Sequence, residues 1–377
     1  MEEEKIEEVH DLTDKAYERA IEVINQCSTK YGLFASGGKK GYKGVWSRDS
    51  FITFLGASLV KEKAFQKTFK KSLEILGEHQ SKKGQIPNAV LNFDRKTPQV
   101  DYLSIDSSLW FIIGHYIYKK RYKDESLFHK YKEHIDKALF WLSYQDIGED
   151  IMLDQLPTTD WQDAFPNKYG TTINTQSLYY YVLRLMGKQE IAKKLKFTVN
   201  RKKGLRLWNK EFYWAYRWKN HNKYKEIGDW FDSLGNLLAI VFGLASKNMS
   251  EKILEYIKSN KIDYPFPVKS INPPITKRSD YWEDYYMDCE AGKPHHYLNG
   301  GIWPYIGGFY VLALIKMKKF DEAKEQLEKL AESNLRGNTF PEWIDPIRWK
   351  THGRFQAWSA GLYILAHQSM KAGKVLI

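Results

Sequence analysis

The sequence predicts an all-α protein, an (α/α)6 barrel of six helical hairpins with a few short β excursions, occupying residues 1–377 as a single domain. Three observations lead there. Helical segments of two kinds alternate along the chain, one acidic position recurs at a fixed spacing, and strand-like alternation is sparse.

The first kind of segment is amphipathic and rich in charge: Lys5–Gln26, Ala64–Gln80, Glu125–Trp141, Lys188–Lys196, Ser250–Lys258 and Phe320–Ser333. In the second of these, Phe65, Phe69, Leu73 and Leu76 recur at helical spacing with Lys and Glu opposite, so one stripe is buried and the other wetted. The other kind is almost free of charge: Ser50–Val60, Ser107–Tyr118, Asn174–Leu183, Ser233–Ala245, Tyr297–Ile315 and Phe355–Ala366. A helix apolar all round must be enclosed by protein. Charged and apolar helices in alternation therefore predict an outer ring around an inner ring. Leu205–Trp218 and Tyr264–Ser270 are the two candidates for extended excursions.

Asp49, Asp106 and Asp163 stand 57 residues apart, each read as lying just ahead of an inner helix, so three hairpins are expected to start alike. Asp229 and Asp232 precede the fourth inner segment, Asn299 opens the fifth, and Gln356 opens the sixth. A ring of this kind gathers helix N-termini, with their partial positive charge, on one face.

Composition narrows the function. Lys and Arg number 58 against 46 Asp and Glu, a net charge of +12, which raises the question of nucleic acid. The lysines are scattered over amphipathic helices instead of forming a stripe, so a solvated surface is expected and no nucleic-acid partner. Apolar runs are broken by Gly, Asn or Pro well short of a membrane span, and no membrane partner is expected. The acidic start, Met-Glu-Glu-Glu-Lys-Ile-Glu-Glu, is unlike a secretory signal or a transit peptide. Two cysteines, Cys27 and Cys289, fit a reducing cytoplasm better than a disulfide framework. His295 and His296 are adjacent and, with a remote Cys289, fall short of a zinc site. No phosphate-cradling fingerprint follows a strand, so neither metal nor cofactor is expected. Oligomeric state is not legible.

Two stretches carry carboxylates beside indoles. Thr158–Phe165 holds Asp160, Trp161 and Asp163; Phe340–Asp345 holds Glu342 beside Trp343. Acid chemistry on a sugar needs such a pair, one carboxyl protonated to donate to the leaving oxygen and one ionised to activate water or attack the anomeric carbon. Indole faces suit sugar C–H groups. Trp46-Ser47-Arg48-Asp49 sets a guanidinium and a carboxylate at a helix start, near Gly37, Gly38, Gly41 and Gly44. Asp49 and Asp106 serve equally as helix N-caps or as sugar ligands. Either Asp160 or Asp163 suits a buried acid beside Trp161. Asn299-Gly300-Gly301-Ile302-Trp303-Pro304 and Gln356-Ala357-Trp358-Ser359 add amides and indoles at the last two inner helices.

Taken in order from about Tyr31 to Ala366, these segments resemble the six-hairpin glycosidases, in two branches. Trp46-Ser47-Arg48-Asp49 and Trp161-Gln162-Asp163-Ala164 are similar to the Trp-x-Arg-Asp and Trp-Met-Asp-Ala of the amylo-α-1,6-glucosidase domain of glycogen debranching enzymes. Asn299-Gly300-Gly301-Ile302-Trp303-Pro304, Phe340-Pro341-Glu342-Trp343 and Gln356-Ala357-Trp358-Ser359 resemble the Asn-Gly-Gly-x-Trp-Pro, Trp-Pro-Glu-Tyr and Gln-Thr-Trp-Ser of the alkaline/neutral invertases. Gln162 replaces the usual Met, Leu298 the usual His, and Ala164-Phe165 the invertases' Arg pair after the acid.

The resemblance implies a glycoside hydrolase that releases a terminal sugar, glucose first of all, from an α-glucan or oligosaccharide, with sucrose hydrolysis as the alternative. A sugar-binding barrel without turnover is the alternative of another class, since a fold fixes no chemistry. The implied catalytic pair is Asp163 as acid and Glu342 as base. Trp46, Arg48, Asp49, Asp106, Asp160, Trp161, Asn299, Trp303, Trp343, Gln356 and Trp358 are the expected sugar contacts. Inversion, the expectation for these families, sets the two carboxyls roughly 6.5–9.5 Å apart.

Overall fold

Residues 11–38, 41–221, 224–288 and 292–377 are described by the structure, a computed structural model. In chain order its helices are α1 (Leu12–Cys27), α2 (Ser47–Ala57), α3 (Lys63–Glu78), α4 (Asp106–Tyr122), α5 (Ser126–Lys130), α6 (Lys132–Ser143), α7 (Ile173–Leu185), α8 (Gln189–Arg201), α9 (Ser233–Phe242), α10 (Lys247–Ser259), α11 (Pro304–Lys316), α12 (Phe320–Leu335) and α13 (Ala357–Lys371). The apolar segments become α2, α4, α7, α9, α11 and α13. Each packs on the next, and α13 closes on α2. The charged helices lie outside: α1 against α13, α3 against α2 and α4, α8 against α7, and α12 against α11.

Burial follows the two patterns. Every residue of α2 and of α9 is buried, whereas α3 buries Phe65, Phe69, Leu73 and Leu76 and wets its lysines. Each such apolar side chain contributes about 1.5–3 kcal/mol by leaving water. Where α2 meets α13 the backbones nearly touch, since a Cβ on Gly56 would stand 1.8 Å from the Gly361 carbonyl oxygen. Only glycine permits that crossing.

Several boundaries differ from expectation, each for a local reason. Lys5–His10 of the first predicted helix lie outside the described residues. Glu125–Trp141 divides at Tyr131 (φ −104°, ψ 16°), whose ring fills the space beside Gly77. The fifth inner helix begins at Pro304, after Tyr297 and Gly300 take positive φ, so Asn299 lies in a loop. Asp49 sits in the first turn of α2 and Asp106 opens α4, but Asp163 lies in a loop separated from α7 by a strand. The equal spacing therefore does not produce three equal starts.

More sheet forms than the sequence predicts. β1 (Ser28–Thr29) pairs with β2 (Gly32–Leu33), and β3 (Gly44–Trp46), β4 (Ala89–Leu91) and β5 (Gln99–Asp101) make an antiparallel sheet. β6 (Asp154–Gln155), β7 (Gly170–Thr172), β8 (Trp214–His221), β9 (Tyr224–Asp232) and β10 (Ile271–Asn272) form a second, in the order β10-β9-β8-β7-β6. β11 (Trp343–Ile344) pairs with β12 (Thr351–His352). Leu205–Trp218 contributes only its last residues to β8, and the strand after Tyr264–Ser270 starts just past that segment. These strands sit between helices and hold the loops that carry the site.

Candidate active site

One cavity, of about 100 Å3, opens among the loops ahead of the inner helices. Trp46, Arg48 and Asp49 enter it from the β3–α2 junction, and Trp161 and Asp163 from the loop before β7. Trp303, Glu342, Gln356 and Trp358 come from the last third of the chain. Ala35, Tyr42 and Tyr297 complete the lining and were not among the expected contacts. Tyr42 stands between Gly41 and Gly44, and Tyr297 directly precedes the Leu298-Asn299-Gly300 run, so a search for aromatics beside the quoted glycines would have found both.

Local backbone explains how the carboxylates arrive. Trp46 is extended (φ −93°, ψ 131°) at the end of β3, and the Ser47 N–H donates to the Asn88 carbonyl at 2.9 Å, so the chain turns at once into α2. Asp163 lies on a loop fastened twice. The Ile105 N–H donates to the Thr159 carbonyl at 2.8 Å, and the Gln162 N–H donates to the Asp160 carboxylate at 2.9 Å. Glu342 precedes β11, where its N–H donates to the His352 carbonyl at 2.8 Å. Gly353 (φ +68°) sits so close behind Glu342 that a Cβ there would meet the Glu342 Cβ at 2.5 Å. Positive φ and contact together require glycine there.

Arg48 is buried at the floor. Its Nη1 donates to Asp106 Oδ1 at 2.9 Å and to Ser104 Oγ at 3.2 Å, and its Nη2 lies 3.6 Å from Asp163 Oδ2. Ser104 also donates to Asp106. Three carboxyls, Asp49, Asp163 and Glu342, thus face the cavity with one guanidinium below them.

Burial raises all three. Asp49 is pushed up to about 6 by burial, with Arg48 opposing. Burial raises Asp163 too, Arg48 opposes, and the Asp106 and Asp160 charges add to the rise. The Asp163 side chain is 44% exposed and lines the cavity. Glu342 is pushed up to about 7 by burial and by Asp49 and Asp163, while hydrogen bonds from the Tyr297 and Tyr42 hydroxyls favour its ionised form. Each tyrosine is itself raised, Tyr42 to about 12, by burial and then by Glu342.

The walls are aromatic. Trp161 stands edge-on to Trp303 at 5.6 Å, Trp303 edge-on to Trp358 at 5.8 Å, and Trp358 stacks on Tyr305 at 4.2 Å. The Trp303 Nε1–H donates to the Tyr297 carbonyl at 3.0 Å, which orients the indole.

Four expected sugar contacts lie outside this lining, each occupied elsewhere. Asp106 is fully buried beneath Arg48 as its counter-ion. Asp160 is fully buried against Lys168 Nζ (2.9 Å), which also reaches Asp232 at 2.7 Å. Asn299 spends its amide on backbone: Nδ2 donates to the Ile275 and Gly292 carbonyls at 2.8 and 3.1 Å, and Oδ1 accepts from the Ile275 N–H at 2.8 Å. Trp343 stacks on His352 at 4.0 Å, behind Tyr297. Sequence placed these residues near the site; their neighbours in space decide that they support it. Lys168 was not legible at all, being one lysine among many.

Among the described residues, no group of three or more His, Cys, Asp or Glu side chains is disposed to hold a metal ion. No helix among them is long and apolar enough to cross a membrane.

Carboxyls and indoles from distant parts of the chain thus share one small cavity. The family model of alkaline and neutral invertase matches residues 225–372. The chain is 27% identical over 322 residues to neutral/alkaline invertase 1, mitochondrial, of Oryza sativa subsp. japonica, covering 69% of this chain and 50% of that protein. It is also 27% identical over 324 residues to alkaline/neutral invertase C, mitochondrial, of Arabidopsis thaliana, covering 70% and 47%. The chain spans about half the length of these relatives. In fold it is similar to the GH63 mannosylglycerate hydrolase of Thermus thermophilus (TM-score 0.71, 14% identity, 93% of this chain and 99% of that one). A solved wild-type glycosidase matches with TM-score 0.69 at 13% identity, over 96% and 98% of the two chains. In sequence and fold together, the chain resembles the six-hairpin glycosidase superfamily.

Proposed function

We propose that the chain is a glycoside hydrolase built on an (α/α)6 barrel, which removes one terminal sugar, glucose in the first instance, from an α-glucan or oligosaccharide by inversion. The observation that carries this reading is that Asp163 and Glu342, 179 positions apart (342 − 163), line one small cavity walled by indoles. Asp163 donates a proton to the leaving oxygen. Glu342 takes a proton from a water that attacks the opposite face of the anomeric carbon. Two tyrosine hydroxyls favour the ionised form of Glu342, as a base requires. A sugar filling the cavity displaces the solvent that reaches Asp163, and desolvation raises its pKa further toward that of an acid. Arg48 and Asp49 hold the sugar, and Trp46, Trp161, Trp303, Gln356 and Trp358 frame it.

The second reading is sucrose hydrolysis, favoured by the invertase match over residues 225–372. Against it stand Ala164 and Phe165, where the resemblance leads one to expect two arginines. A cytoplasmic setting and a single catalytic domain belong to the same proposal.

The test is incubation of purified protein with isomaltose, maltose, branched limit dextrin, sucrose and mannosylglycerate, following released sugars by NMR. Glucose from the dextrin or isomaltose, first as the β-anomer, is expected. Fructose with glucose from sucrose moves the protein to the second reading. In either case Asp163→Asn is expected to lower turnover by about 10²–10⁴-fold while sugar binding measured by calorimetry persists. Near-normal turnover in that variant overturns the assignment of the acid. Binding with no release from any substrate indicates a sugar-binding barrel.

A further inference from the structure

The inner helices end around a second cavity, of about 520 Å3, at the mouth opposite the carboxylates. It is lined by the last residues of α7, α9 and α11 and by the segment after α13. Three cations converge there on the end of α9. Lys316 Nζ donates to the Val241 carbonyl at 2.6 Å, and Lys196 Nζ donates to the Gly243 carbonyl at 2.6 Å. Arg184 Nη1 and Lys316 Nζ stand 3.8 and 3.6 Å from the point where a Cβ on Gly243 would lie.

The bland explanation is a helix C-terminus neutralised by lysine. It is not enough. A helix end carries about half an elementary negative charge, and three full positive charges meet it. None of the three is paired with a carboxylate among the described residues, and Lys318 and Lys374 also line the cavity. Crowding is felt: burial, then Arg184 and Lys196, push the Lys316 ammonium down to about 8. Beside the charges the half-buried Tyr181 ring stacks on the buried Phe242 at 4.1 Å and 4°, with Ile315 and Val241 buried near it.

We propose that this cavity is an anion site for a small phosphorylated organic molecule, whose phosphate sits between Arg184 and Lys316 and whose organic part packs beside Tyr181. Guanidinium and ammonium groups are the usual partners of phosphate oxygens. The Tyr181 ring is what distinguishes an organic phosphate from the bare ion.

Calorimetry and thermal shift at fixed ionic strength, with inorganic phosphate, glucose 6-phosphate and ATP, test the proposal. At least one organic phosphate is expected to bind and to raise the melting temperature, more tightly than inorganic phosphate. Arg184→Gln with Lys316→Met is expected to weaken it tenfold or more, whereas Lys316→Arg retains it. Arg184→Gln alone alters an exposed side chain, so it folds whatever becomes of the double variant, and is expected to weaken binding at least threefold. The proposal is overturned by the absence of any shift beyond that of sodium chloride at equal ionic strength. It is equally overturned if Arg184→Gln binds as the parent does, or if Lys193→Gln on the exposed face of α8 weakens binding as much. Inorganic phosphate binding as tightly as the organic ones overturns the assignment of an organic ligand packed beside Tyr181.

Discussion

Arg48 and Asp106 form a buried ion pair, Nη1 to Oδ1 at 2.9 Å, directly beneath the carboxylate of Asp163. Asp106 thus sets how much of the Arg48 charge is left for Asp163, without touching the cavity itself.

Neutralising Asp106 as Asn leaves Arg48 without its nearer counter-ion, so the guanidinium acts more fully on Asp163 and lowers its pKa. Turnover is expected to fall about 10–100-fold, with the alkaline limb of the pH profile displaced to lower pH. Stability is expected to drop by about 3 kcal/mol, read from urea unfolding, because a buried charge has lost its partner. An unmoved alkaline limb would show that Asp106 acts only on stability.

In the proposed mechanism the acid limb of activity reports Glu342, which must ionise to act as base and whose pKa is pushed up to about 7 by burial. Tyr42→Phe or Tyr297→Phe removes a hydroxyl that favours the carboxylate. Each change is expected to move that limb upward by about half a pH unit to one unit, since a hydrogen bond to a charged group contributes about 1.5 kcal/mol or more before solvent in the cavity replaces part of it. A limb that stays put or moves down contradicts the assignment of the base.

Stability has a pH dependence of its own. The folded-state pKa of Glu342, about 7, lies above its ordinary 4.5, and Asp49 at about 6 lies above 3.8. A raised carboxylate pKa means that folding favours the protonated form, so their contribution is complete below about pH 4 and is lost as pH rises through 6 to 7. Glu342→Gln is therefore expected to be more stable than the parent at pH 8, by on the order of 2 kcal/mol after allowing for solvent in the cavity. That advantage should vanish near pH 4. Equal melting temperatures at pH 8 would mean that the cavity solvates the carboxylate as water does.

Lys168 joins the loop carrying Asp163 to the start of α9 through Asp160 and Asp232, all three side chains fully buried. Lys168→Met leaves two carboxylates facing each other with no cation. A loss of about 3–5 kcal/mol is expected in denaturant titration. Lys168→Arg, which keeps the charge, is expected to recover part of it. A loss below about 1 kcal/mol would mean that the two acids protonate or rearrange at little cost.

The helices were legible because their pattern is set by solvent, which every residue meets in the same way whatever its neighbours. Apolar residues all round the segment that becomes α9, or down one side of α3, admit one burial each. Carboxylates beside indoles likewise pointed to Asp163 and Glu342, which line one cavity, and equally to Asp160, which is held by Lys168. Sheet was under-read, because most of its strands are two or three residues long, too short to show an alternation, and β3–β4, β7–β8 and β9–β10 pair with two helices between the partners.

What tertiary structure alone decided is which polar residues face the cavity. Asn299 and Asp160 share the chemistry of sugar ligands, but the Ile275 backbone and Lys168 Nζ reach them first. Tyr42 and Tyr297, two of many tyrosines in the sequence, end on Glu342. Sequence carries the affinity of each side chain for water and charge. A hydrogen bond is satisfied by whichever partner the fold brings within about 3 Å, and that is a property of the assembled chain.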